Sequence, residues 1–179
     1  MINRKTFIAA TAVAAGLGAI ATATILSTTA GADEGSSGKG KDDVASIRVL
    51  STGLAQSAAQ AAFDKCTEQG LRVTVSVVNR DGALIALLRN ELAGPASVDS
   101  ATGKAYASAG FRAPSGNLGE AAKTNPGILQ MPKFVVLRGG LPFSSQGEVI
   151  GAIGVGGAPS GDQDEVCAKA GVDAVATKL

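Results

Sequence analysis

The stretch Leu71-Arg72-Val73-Thr74-Val75-Ser76-Val77-Val78-Asn79-Arg80-Asp81-Gly82-Ala83 runs directly into Leu84-Ile85-Ala86-Leu87-Leu88-Arg89. Leu71, Val73, Val75 and Val77 alternate with Arg72, Thr74 and Ser76, a period of two that predicts a strand with one buried and one polar face. Asn79-Arg80-Asp81-Gly82 is turn chemistry, and a second apolar run, Ala83–Arg89, follows at once. Strand, tight turn and strand predict an antiparallel hairpin.

Working outward, the period changes to that of a helix. Ile47, Leu50, Leu54, Ala58 and Ala61 recur at three and four, predicting a helix from Val44 that Gly70 stops. After a loop over 90–96, Ser97 is expected to cap a helix reaching about Ala109 and ending at Gly110. Its face of Ala101, Ala105 and Ser108 is small enough to lie close to whatever it covers. Residues 111–132 carry Pro114, Gly116, Pro126 and Pro132 and read as irregular, with a short helix near Leu118–Lys123. The last third reads as strands over Lys133–Arg138, Leu141–Ser144 and Glu148–Val155, separated by turns at Gly139-Gly140 and Gln146-Gly147. A final helix is predicted from Asp162 to about Thr177. Short turns require antiparallel pairing. The expected fold is α+β: a five-stranded antiparallel sheet flanked by N- and C-terminal helices and a middle helix.

The N-terminus has a different character. Arg4 and Lys5 are the only charges in the first 32 residues, and Phe7–Leu26 is almost wholly apolar or small. Ala30-Gly31-Ala32 ends the segment. A basic start, an apolar middle and a small-x-small end are the parts of a secretory signal, so residues 1–32 are expected to be cleaved after Ala32. Arg4-Lys5-Thr6-Phe7-Ile8 is similar to the twin-arginine export motif with Lys at the second Arg, so the route is Sec or twin-arginine-like. Residues 33–43, rich in Asp, Gly, Ser and Lys, read as a flexible linker, and residues 44–179 as one domain.

The chain counts 16 basic and 15 acidic residues and no His. Without Arg4 and Lys5 the remainder is nearly neutral, which gives no nucleic-acid footprint. The absence of His excludes His-based triads and His-ligated zinc or haem. Cys66 and Cys167 form either a disulfide in an oxidising compartment or two buried thiols. A bond becomes open to them if the terminal helices lie side by side.

Glycines at 139, 140, 151, 154, 156 and 157 match no phosphate-loop register. Inside a strand they point to close approach of another backbone. Asp162 and Glu165 can hold a cation through oxygen or act as a capping box. Arg89, Lys104 and Tyr106 can bind a flat, carboxylate-bearing ligand, with cations on its acids and Tyr106 stacking or ligating iron. Met131 adds a weak thioether. A nucleophile lacks its base, which argues against hydrolysis.

Taken in order, several motifs resemble the GlcG/HbpS family over about residues 44–177. They are Asn79-Arg80-Asp81-Gly82, Ser100-Ala-Thr-Gly-Lys104-Ala105-Tyr106 and Leu137-Arg-Gly139-Gly140-Leu-Pro142. Gly147-Glu-Val-Ile-Gly151-Ala-Ile-Gly154-Val and Gly161-Asp-Gln-Asp164-Glu165 follow. The resemblance implies a profilin-like sandwich, oligomers up to an octamer, and extracellular haem and iron binding. It also implies modulation of a membrane sensor histidine kinase under redox stress, with weak haem degradation as a further activity. The family's Lys-Ala-aromatic-Thr reads here Lys104-Ala105-Tyr106-Ala107, leaving Tyr106, Ser108 or no protein group as iron ligand. The pocket so implied uses Arg89 and Lys104 for propionates, Tyr106 and Phe111 for the ring, and Gly139-Gly140 as a close wall. Two other readings stand beside it: a binding module for an organic acid or cofactor, and a ligand-independent interaction protein.

Overall fold

The structure, a computed structural model, describes residues 46–179. The signal segment (1–32) and the linker (33–43) lie outside the described residues. The chain order is α1 (Thr52–Glu68), β1 (Thr74–Asn79), β2 (Leu84–Arg89), α2 (Ser97–Phe111), α3 (Ser115–Ala122), β3 (Gly140–Ser145), β4 (Glu148–Gly156) and α4 (Gly161–Val175). Short 3-10 turns occupy Pro126–Gln130 and Ala176–Lys178. The sheet has four strands in the order β2-β1-β4-β3, and every pairing is antiparallel.

The hairpin forms where the alternation places it. Asn79 Oδ1 accepts hydrogen bonds from the backbone N–H of Asp81 and Ala83. Gly82 takes φ +85°, which an L side chain resists. One face of the sheet packs under α1 and α4 through Val73, Val75, Val77, Phe143, Ile153 and Val155. The other face is covered too. Thr74 and Ser76, the polar half of the alternation, are fully buried. The Thr74 hydroxyl pairs with Ser97 Oγ at 2.8 Å, and Thr102 Oγ1 donates to Ser76 Oγ at 3.3 Å. Hydroxyls in these positions let α2 cover the face without orphaning polar atoms.

Close approach is set by small residues. A Cβ on Gly154 would overlap the Ala101 carbonyl, and one on Gly156 would lie 2.7 Å from the Ala101 nitrogen. The backbone of α2 therefore rests directly on β4, as the glycine pattern suggests. On the opposite face, Gly171 of α4 meets the Ala58 carbonyl and the Ala62 side chain of α1. There Cys66 and Cys167 form a disulfide with their Cα atoms 5.5 Å apart.

Four expectations change. The fifth strand, Lys133–Arg138, is not a strand. Lys133 has φ +67°, Val135 N–H donates to the Gly103 carbonyl, and the segment crosses α2 and α3 over Gly103, Gly110, Gly116 and Gly119. Its β-like residues pack on helices instead of a strand edge. Helix α1 starts at Thr52 with Ser51 as N-cap, and Ile47 and Val49 are exposed. The capping box at Asp162 is displaced: Ser160 caps α4, accepting from the Gln163 N–H at 3.3 Å. Helix α2 likewise takes Ala96, not Ser97, as its N-cap and runs to Phe111.

Candidate functional site

Helix α2 is buried on most of its circumference, with the sheet on one side and residues 133–137 on the other. Between that segment and the β1–β2 turn lies a groove of about 430 Å³. It is lined by Gly82, Asp99, Thr102, Tyr106, Lys133 and Phe134, among others. Tyr106 is half-buried at its centre. Gly82 has no room for a Cβ because the Tyr106 ring occupies that space, so the turn glycine serves the groove as well as the hairpin. Phe134 stands edge-on to Tyr106 with centroids 5.5 Å apart, and Phe111 edge-on to Phe134 at 5.4 Å. Edge-to-face pairs of this kind are favoured by the ring quadrupoles. Lys133 Nζ lies 5.7 Å from the Tyr106 centroid, within cation–π range.

The remaining predicted site residues lie elsewhere. Lys104 is 2% exposed, and its ammonium meets Asp164 Oδ2 at 2.5 Å and the Val155 carbonyl at 3.0 Å. It ties α2 to β4 and α4 and does not offer its charge to a ligand acid. Burial pushes the Asp164 carboxyl above its ordinary range, opposed by the Lys104 ammonium and the Ala158 N–H. Gly139 and Gly140 wall this ion pair, not the groove. A Cβ on Gly139 would crowd Asp164, and one on Gly140 would strike the Lys104 carbonyl. Arg89 donates to the Ala93 carbonyl at 2.5 Å and pins the loop after β2. Ser108 is fully buried, and its hydroxyl has no hydrogen-bond partner among the described residues.

Asp162 and Glu165 both engage Arg138, at 2.9 Å and 2.7 Å. The hydrogen bond that Arg138 donates to Glu165, with the charges of both acids, raises the guanidinium above its usual range. The pair therefore already has a cation. Among the described residues no group of three or more acidic, Cys or His side chains is placed to hold a metal. No helix among them is long and apolar enough to cross a membrane.

The groove thus gathers Tyr106 from the predicted set, and Phe111 meets it only through its contact with Phe134. Gly82, Asp99, Thr102, Gly103, Lys133, Phe134 and Val135 are its unpredicted members. The sequence around Lys133 and Phe134 has the character of a strand, which conceals their meeting with α2.

The model for the family described as "Haem degrading protein HbpS-like" matches residues 50–173. A 15.0 kDa protein of Citrobacter freundii, uncharacterised and encoded in a dhaT–dhaS intergenic region, is 30% identical over 132 residues. That match covers 71% of this chain and 92% of the relative. Among solved structures, a double mutant of Streptomyces reticuli HbpS is 37% identical with a TM-score of 0.72, covering 75% of this chain and 92% of its own. The Klebsiella pneumoniae protein ORFY is 26% identical with a TM-score of 0.71, covering 75% and 95%. With a matching model spanning more than half its length and a sheet-and-helix order shared with these structures, the chain belongs to the HbpS-like family.

Proposed function

We propose that the groove on α2 binds haem or a similarly flat, acidic ligand, and that the protein acts outside the cytoplasm as a haem-responsive accessory or scavenger. The observation that carries this is the convergence of Tyr106, Phe134 and Lys133 on one open groove. The residues fit such a ligand: aromatic edges for a ring, a cation for an acid group, and one phenol as an oxygen donor to ferric iron. Tyr106 is the favoured iron ligand, because Ser108 is enclosed and Ala107 has no donor. Bound haem supplies a redox-active iron; the protein's part is to orient it and limit water on its buried side.

The family description supports a haem-related role. The N-terminal pattern of Arg4-Lys5, an apolar run and Ala30-Gly31-Ala32 supports export of a domain beginning after the linker. The Cys66–Cys167 disulfide fits an oxidising compartment. In this reading the protein is a homo-oligomer, up to an octamer, and its macromolecular partner is the extracellular domain of a sensor histidine kinase.

Titration of the protein with haemin tests the central claim. A shifted Soret band saturating at micromolar protein is expected. An unshifted band rejects it. Tyr106→Phe should remove the iron-ligand signature while leaving the fold intact by circular dichroism. Loss of the Soret band under reductant and oxygen would assign turnover in addition to binding.

A further inference from the structure

The groove continues beyond Phe134. Arg80, Asp81 and Gly110 extend it past Gly82 and Tyr106. Arg80 also borders a hollow of about 300 Å³ shared with Arg112, Ser144 and Glu148. Two arginines line this hollow from separate elements, Arg80 from the β1–β2 turn and Arg112 from the end of α2. Arg80 Nη1 is 3.7 Å from Glu148 Oε2, beyond hydrogen-bond length. Arg112 takes part in none of the ion pairs among the described residues.

The backbone points to the same residues. Arg112 (φ 56°), Lys133 (φ 67°) and Gln146 (φ 51°) are the non-glycine residues at positive φ among those described. Arg112 occupies the left-handed position after a helix where glycine or asparagine is the easy choice. Two of the three strained positions thus carry cations, one lining the groove and one the hollow that Arg80 also borders, and strain retained at such positions is a mark of use.

We propose that the Arg80–Arg112 hollow is the carboxylate subsite of the groove. The ligand's acid edge draws Arg80 from Glu148 and is held by both guanidiniums, whose planar forks match carboxylates. The ring of the same ligand lies toward Tyr106 and Phe134. The ligand class is a flat aromatic molecule with carboxylates along one edge. This inference rests on the reading of the groove as a porphyrin site.

Metal-free protoporphyrin IX and its dimethyl ester separate the acid contribution from iron ligation. Arg80→Gln and Arg112→Gln should each weaken protoporphyrin IX roughly two- to fivefold, the range of exposed ion pairs. Together they should weaken it about tenfold if the effects add. The diester should bind the wild type and variants alike. Glu148→Gln should tighten protoporphyrin IX by freeing Arg80. Arg112→Gly should weaken binding without lowering the melting temperature, because glycine relieves the strained backbone. An unchanged affinity in the double variant, or an equal loss for the diester, overturns the subsite while haemin binding by the wild type preserves the groove. Failure of the wild type to bind haemin or protoporphyrin IX overturns both.

Discussion

Replacing Cys66 and Cys167 together by alanine removes a crosslink that joins α1 to α4 across a sequence separation of 101 residues. Opening a loop of that length returns entropy to the denatured chain worth about 4.7 kcal/mol at 25 °C in the chain-entropy model, and native disulfides of small domains cost about 2–5 kcal/mol to remove. Both cysteines are fully buried. The vacated sulfur positions therefore add a small cavity cost, of order 1 kcal/mol or less because α1 and α4 can settle together over Ala58, Ala62 and Gly171. The expected loss is about 5 kcal/mol, a large share of the roughly 5–15 kcal/mol available to a domain. Equilibrium unfolding in urea, followed by circular dichroism, measures it. The midpoint should fall sharply, and the m-value should rise as the uncrosslinked chain exposes more surface. Wild type unfolded in the presence of reductant should approach the same midpoint. A double variant within about 1 kcal/mol of wild type would refute the reasoning, because it would show that the crosslink constrains little of the denatured ensemble.

Asp164→Asn leaves the Lys104 ammonium enclosed without its counter-ion and should destabilise by about 3–5 kcal/mol; Lys104→Met with Asp164→Leu should cost clearly less in the same unfolding assay. Gly82→Ala meets both φ +85° and the Tyr106 ring, so a loss above about 1 kcal/mol is expected. Because Tyr106 is the single tyrosine and tryptophan is absent, the displacement should also change intrinsic tyrosine emission, and an unaltered spectrum would count against the contact. Ser108→Ala deletes a buried hydroxyl that has no partner among the described residues; stability should hold or rise by up to about 1 kcal/mol in a thermal melt, and a substantial fall would reveal a hydrogen bond to that oxygen.

Much of the fold was legible because its signals are local. Alternation over 71–77, the turn residues 79–82 and the glycines of β4 each constrain backbone within a few residues. The start of α1 was less legible. Ile47 and Leu50 continue a helical spacing, but Ser51 supplies the N-cap and the described residues before it are not helical. The strand expected at 133–138 failed for a nonlocal reason. Phe134 and Val135 have strand-like character, yet the glycines at 103 and 110 that receive them are decades of residues away in the chain. The same distance hid the candidate site, since Tyr106, Phe134 and Gly82 come from three separate elements.

By itself, the sequence determined the α+β class, the hairpin, the small-residue surfaces that allow close approach, and the family, since all follow from periodicity, turn chemistry, small-residue spacing and motif order. Tertiary structure alone decided which cations are free. Lys104 looks in sequence like any helical lysine, but the fold encloses it on Asp164 and Val155. Lys133 and Arg80 line the groove, and Arg112 an adjoining hollow, because a crossing segment, a turn and a helix end converge there. Charge is written in the residue, whereas its availability depends on burial and partners that distant segments supply.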